Sequence, residues 1–176
     1  MADDSLLGTY SPESLDLVIS VADQVHVVSG FADGTFINIT RQTPASELYV
    51  GADLSTGRTK RRNKASTIDI TLAQYSASND FFQRIQSLDE EDATDTYVFT
   101  LTIKDNSGRT VASSNQAFIA TTPDVSFDTT MGTRMWQISA ISLSTHYGGN
   151  AKLSDATVST LAALEYDVPD RWKMNA

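Results

Sequence analysis

The sequence predicts a mainly β protein, an antiparallel β-sandwich or barrel with one or two flanking α-helices. Three observations predict it: apolar side chains recur at every second position in several separate runs, turn-forming Asp, Asn, Ser and Gly punctuate those runs, and only two segments repeat at helical spacing. Length agrees, since 176 residues, 40% of them hydrophobic and 20% charged, suffice for one domain with a buried core.

Taken in order, Leu15, Leu17, Ile19 and Val21 share one face of a strand, with Asp16 and Ser20 on the other. A second run, Val25 to Phe31, leads through Asp33-Gly34 into Thr35 to Thr40; this reads as a hairpin, because Gly accepts the positive φ of a tight turn. After Pro44, Ser46 to Asp53 runs outward, turns at Ser55-Thr56-Gly57 and returns through GRTKRRNKAS into Ser66 to Ala73, where Ile68, Ile70 and Leu72 alternate with Asp69 and Thr71. Phe81, Ile85 and Leu88 stand at i, i+4 and i+7, so a helix is expected over Asn79 to Leu88 with Ser78 as its N-cap. Tyr97, Phe99, Leu101 and Ile103 predict a strand over Thr96 to Lys104, and Asn106-Ser107-Gly108 turns it into a partner beginning near Arg109. From Met135 to Leu143 the apolar parity changes after Ile138, which implies either a β-bulge near Ala140 or burial on both faces. Val158, Leu161 and Leu164 mark a second helix from about Asp155 to Tyr166, weakened by β-branched Thr157, Val158 and Thr160. The final DVPDRWKMNA, with Pro169 and a polar end, reads as an arm.

Charge narrows the function. A net charge of −9 and a pI near 4.5 argue against a general binder of nucleic acid or anionic membrane. The absence of cysteine removes disulfides, thiolate metal sites and a cysteine nucleophile. No run approaches the roughly 18 apolar residues of a membrane span, and the acidic MADDSLLGTY is unlike a secretory signal, so a soluble intracellular chain is expected.

Chemistry-bearing motifs are sparse. His26 and His146 lie far apart without ligand-spaced neighbours, and Gly30 to Gly34 lacks the Lys-Ser/Thr of a phosphate loop. Asp89, Glu90, Glu91, Asp92 and Asp95 form an acidic stretch that lacks the alternating spacing and central glycine of a calcium loop. No nucleophile elbow or convergent polar set is present, so no enzyme, cofactor or metal is expected.

Against this acidic background Arg58, Lys60, Arg61, Arg62 and Lys64 form a compact basic run on the returning arm of the long hairpin. It can be a nucleic-acid or localisation patch, a solvated flank, or a surface that meets the acidic stretch of another copy. The last reading is favoured because one chain carries both signs in compact form, and different patches meeting on identical subunits build rings or filaments.

The ordered set YSPESLDLVI, GFADGTFI, VGAD, NKASTIDITL and SASNDFF resembles the tail tube proteins of contractile-tailed bacteriophages across roughly residues 10 to 90, and Tyr147-Gly148-Gly149 agrees further on. The resemblance implies a single tail tube domain over 1–176, with an N-terminal arm (1–12), an extended hairpin loop (46–68) and a C-terminal arm (167–176). It implies hexameric rings stacked into a hollow tube inside a contractile sheath, with baseplate and tail terminator proteins as further partners. A tape measure protein and then double-stranded DNA would occupy the lumen without specific binding. Assembly would take place in the host bacterial cytoplasm, and the product would reside in the virion tail, with no cofactor and no membrane. The alternative reading is a monomeric β-sandwich module binding carbohydrate or a receptor; Trp136, inside a strand, and Trp172, in the tail, form no obvious platform for it.

Overall fold

Period-two burial builds the sheet. In the computed structural model, which describes residues 7–174, strand β1 (Leu15–Val21) buries Leu17, Ile19 and Val21, and β7 (Phe99–Asp105) buries Phe99, Leu101 and Ile103. Strand β6 (Ser66–Ala73) contributes Ile68, Ile70 and Leu72, and β9 (Thr133–Ala140) contributes Trp136, Ile138 and Ala140. Each large side chain taken from water in this way stabilises the fold by about 1.5–3 kcal/mol. Together with β2 (Gln24–Val27), β3 (Ile37–Arg41) and β8 (Val111–Thr121), these strands run in the order β2-β1-β7-β8-β9-β6-β3, and β10 (Ser144–His146) pairs with β8 off that path. The pairs β1/β2, β3/β6, β6/β9 and β8/β9 are antiparallel.

The sheet turns a corner within β8. Ala112 and Ser114 are buried at one parity, Ala117 and Ile119 at the other. The change falls at Asn115-Gln116, where Ser114 Oγ accepts from the Gln116 amide at 3.3 Å and donates to the Gln116 carbonyl at 3.1 Å. A side chain that takes over backbone hydrogen bonds lets a strand change face without leaving polar groups bare.

Two expectations about chain direction are corrected. The tight hairpin in the first part of the chain is Ala22-Asp23, both at positive φ, joining β1 to β2 with Val21 opposite Gln24. Asp33-Gly34 instead tips a short excursion beside β6: Phe31 bridges Leu72, the Thr71 amide donates to the Phe36 carbonyl, and pairing resumes at Ile37 opposite Ile70. The parity change after Ile138 is neither a bulge in β9 nor two-sided burial, because the strand ends at Ala140; Ile141 is exposed and Leu143 is buried only after the chain has bent.

Helix α1 (Ser78–Glu91) buries Phe82 and Ile85 and is one turn longer than expected. Ser78 is not its cap. It is fully buried, and its Oγ lies 2.9 Å from His26 Nε2 and accepts from the Ser29 amide at 3.1 Å, while the ring of His26 stacks on Phe81 at 4.1 Å. The N-cap position is Ala77, which has no side chain to cap with, and the Ser78 amide donates to Ser76 Oγ at 3.2 Å.

These elements lie mostly in the larger of two compact units, 17–103 with 112–145; the smaller comprises 1–16, 104–111 and 146–176 within the described residues. In the smaller unit Asp105 accepts from the Ser107 amide at 2.8 Å and from Asn150 Nδ2 at 3.1 Å. Helix α2 (Asp155–Ala163) begins at Ser154, whose Oγ accepts from the Thr157 amide; it stops three residues short of the expected Tyr166. The expected C-terminal arm is tied down as far as it is described: Val168 is buried, Arg109 lies over the Trp172 ring at 5.0 Å, and Leu153 hydrogen-bonds with both Trp172 and Met174. His146 stacks on Tyr166 at 4.9 Å.

Candidate assembly surface

The basic run stands on a hairpin whose strands bury no side chain. Strands β4 (Ser46–Val50) and β5 (Thr56–Lys60) form a separate two-stranded sheet, and every residue of both is exposed. Its turn is Gly51 to Ser55 rather than Ser55-Thr56-Gly57: the Gly51 amide donates to the Ser55 carbonyl at 2.7 Å, and Leu54 takes a φ of +65°. Asp53 braces that turn, accepting from the hydroxyl and amide of Ser55, and these bonds hold its carboxyl below the usual carboxylate range. A lone hairpin of this size is marginally stable in water.

Register separates two faces, because residues directly opposite in an antiparallel pair point the same way. Leu48 lies opposite Arg58, Val50 opposite Thr56, and Ser46 opposite Lys60, so one face combines two exposed apolar side chains with two cations. The other face carries Tyr49 opposite Gly57 and Glu47 opposite Thr59. Arg61 turns to Glu47 at 2.8 Å, an exposed ion pair worth at most about 1 kcal/mol. Arg62 and Lys64 follow in the link to β6. That link is clamped by Arg41, whose Nε donates to the Asn63 carbonyl at 3.1 Å, and by the Leu143 amide, which donates to the Lys64 carbonyl at 3.1 Å.

The acidic stretch begins within a helix. Asp89, Glu90 and Glu91 are the last residues of α1, and Asp92 is its C-cap. Negative charge there opposes the helix dipole, and no basic side chain in the last turn relieves it. Asp92 accepts from the Thr94 hydroxyl and the Thr96 amide, each at 2.8 Å, and these bonds lower its pKa; Asp95 takes a positive φ. Among the described residues no ion pair joins 58–64 to 89–95, so the two charged runs do not satisfy each other within one chain. Nor do the described residues gather three or more His, Asp or Glu side chains that could hold a metal ion.

Sequence reasoning passed over a second exposed apolar surface. Residues 122–132 connect β8 to β9 without regular structure, and Val125, Phe127 and Met131 are exposed there, Phe127 by 84%. The signal was present in the turn-rich setting of Phe127, with Pro123, Asp124, Asp128 and Gly132 around it.

A family model described as "Bacteriophage PhiTE tail tube protein" matches residues 8–148. "Structural protein ORF10" of Pseudomonas phage KPP10 is 36% identical over 167 residues, spanning 94% of this chain and 96% of that protein. Among solved structures, the cryo-EM structure of the anti-feeding prophage cap, the AFP tube terminating cap, superposes with a TM-score of 0.52 at 11% identity, covering 83% of this chain and 99% of the cap chain. This last likeness is one of fold.

Proposed function

Because the chain belongs to the bacteriophage PhiTE tail tube protein family, we propose that it is the repeating subunit of a contractile phage tail, closing as hexameric rings that stack into a hollow conduit for the genome. The observation that carries this reading is the family match across 8–148. The exposed hairpin supports it, since such an element gains its stability from a partner. The sheet ends on β2 and β3 support it as well, because backbone groups on an open strand edge are completed by a neighbouring strand. No catalytic step is part of this role.

Electrostatics suits a conduit. Six copies of a chain at −9 carry −54, and a like-charged channel lets DNA pass without adhering. Basic side chains engaged in protein contacts are withheld from that path. A sheath around the tube, a terminator and baseplate at its ends and a tape measure protein inside it are the partners that this role requires.

Negative-stain electron microscopy of the purified protein at rising concentration, with light scattering alongside, tests the proposal. Rings or hollow tubes are expected. A monodisperse monomer at every concentration, with tail assembly partners also present, would refute it.

A further inference from the structure

We propose that the basic, apolar face of the β4–β5 hairpin docks on the 122–132 loop of a second copy of the chain, and not on the acidic end of α1. The inference rests on the assembly reading above and names the surface that the hairpin seeks.

Two properties of the hairpin face have to be matched at once. Leu48 and Val50 present apolar surface, Leu54 stands 82% exposed at the tip, and Arg58 and Lys60 flank the apolar pair. A surface offering only carboxylates would leave the apolar side chains in water, and an uncharged one would strand the cations. The end of α1 offers Asp89, Glu90, Glu91 and Asp92, but no large exposed apolar side chain lies between 76 and 124.

The 122–132 loop offers both. Val125, Phe127 and Met131 are exposed, Asp124 and Asp128 alternate with them, and no Lys or Arg lies within the segment. The hairpin from Ser46 to Lys64 has the opposite balance, five cations against Glu47 and Asp53.

The loop is also held ready. The Gly132 amide donates to Gln74 Oε1 at 3.1 Å and its carbonyl accepts from the Gln74 amide at 3.0 Å, which fixes the loop's end against the turn before α1. Arg134 lies 5.9 Å from the centroid of Phe127, so its charge is applied to the ring. A cleft of about 370 Å³ opens at the start of the loop, lined by Pro123, Val125 and Trp136 together with polar residues that include Asp80 and Arg134. Aromatic anchors beside a pocket carry most of the energy in interfaces of this kind.

The absence of native cysteine makes the test direct. Ser46→Cys and Ser126→Cys, exposed neighbours that leave Leu48, Arg58, Lys60 and Phe127 in place, are introduced together in the full chain, assembled tubes are oxidised, and the products are run without reductant. The expected result is a ladder of disulfide-linked multimers from this pair and none from Ser46→Cys with Glu90→Cys. Tubes of the 46/126 variant that give no ladder would overturn the docking assignment while leaving the tube reading intact. Failure of the wild-type chain to assemble would overturn both.

A second measurement avoids cross-linking. Phe127→Ser should raise the concentration needed for assembly by about thirtyfold or more, with the circular dichroism and thermal midpoint of the subunit unchanged. Arg58→Glu with Lys60→Glu should impair assembly, and Asp124→Lys with Asp128→Lys should restore it. Restoration by Glu90→Lys with Glu91→Lys instead would point to the end of α1 and refute the assignment.

Discussion

Replacing Ser78 by alanine isolates one buried hydroxyl that ties α1 to the β2 segment. The side chain is fully buried, and its oxygen serves the Ser29 amide at 3.1 Å and His26 Nε2 at 2.9 Å. A hydroxyl can accept the amide hydrogen and donate its own to a neutral imidazole, so one atom satisfies two partners. Alanine at the first helical position costs nothing in helix propensity, and it removes both bonds. The Ser29 amide then loses its acceptor, and a part-buried donor left unpaired costs about 1–3 kcal/mol. At a urea dependence of about 2 kcal/mol per molar, the unfolding midpoint should drop by about 0.5–1.5 M. Urea titration of the dilute, unassembled subunit, followed by the fluorescence of buried Trp136, reads that shift. A midpoint within about 0.2 M of wild type would refute the argument that this hydroxyl is an energetic link.

Acid should weaken the same junction. Burial lowers the pKa of His26, so below the ordinary imidazole value of about 6.5 the unfolded chain binds more protons than the folded one. Its contribution is complete above that pH and is lost as pH falls through the folded pKa; urea midpoints measured from pH 7.5 to 5 should decline, and His26→Gln should flatten the decline. Gly30→Ala places a methyl group 2.6 Å from Ser76 Cβ at a φ of +74°, and should cost about 2–5 kcal/mol from left-handed strain plus overpacking. Gly34→Ala, at +85° in open space, should cost only the strain, about 1–2 kcal/mol; equal melting losses for the two would refute the packing part. Exchanging Arg58, Lys60, Arg61, Arg62 and Lys64 for serine should shorten tubes and lower their yield with the subunit's melting midpoint unchanged, because none of these side chains is buried. Tubes of normal length and yield would remove the basic run from assembly.

Much of the sheet was legible because burial at every second residue leaves a direct trace in the sequence, as in Leu17, Ile19 and Val21 or Ile68, Ile70 and Leu72. Turns were less legible. Ala22-Asp23 adopts the left-handed conformations that Asn-Gly would advertise, held there by the pairing of β1 with β2 rather than by local preference. Asp33-Gly34 advertises a hairpin and makes none, since both of its flanks are claimed by β6. Ser78 has the chemistry of a cap, and the competition between helix end and core for its hydroxyl is settled by tertiary contacts. The candidate surface divided in the same way: the five cations were conspicuous, whereas their partition between faces depends on register, and the turn residues around Phe127 hinted at an exposure whose extent only the structure gives.

The pairing of β6 with β9 has a temporal side. Its eight residue pairs join Ser66–Ala73 to Thr133–Ala140, so β6 and β3 join the rest of the sheet only once the ribosome has delivered residue 140. Pairings this distant in sequence are slow to find, whereas the β4–β5 hairpin closes through neighbours only. A nascent chain therefore completes the exposed hairpin before the body of its sheet. Synthesis itself thus orders the two events, and the incomplete sheet edge is the surface at risk of aggregation in the interval.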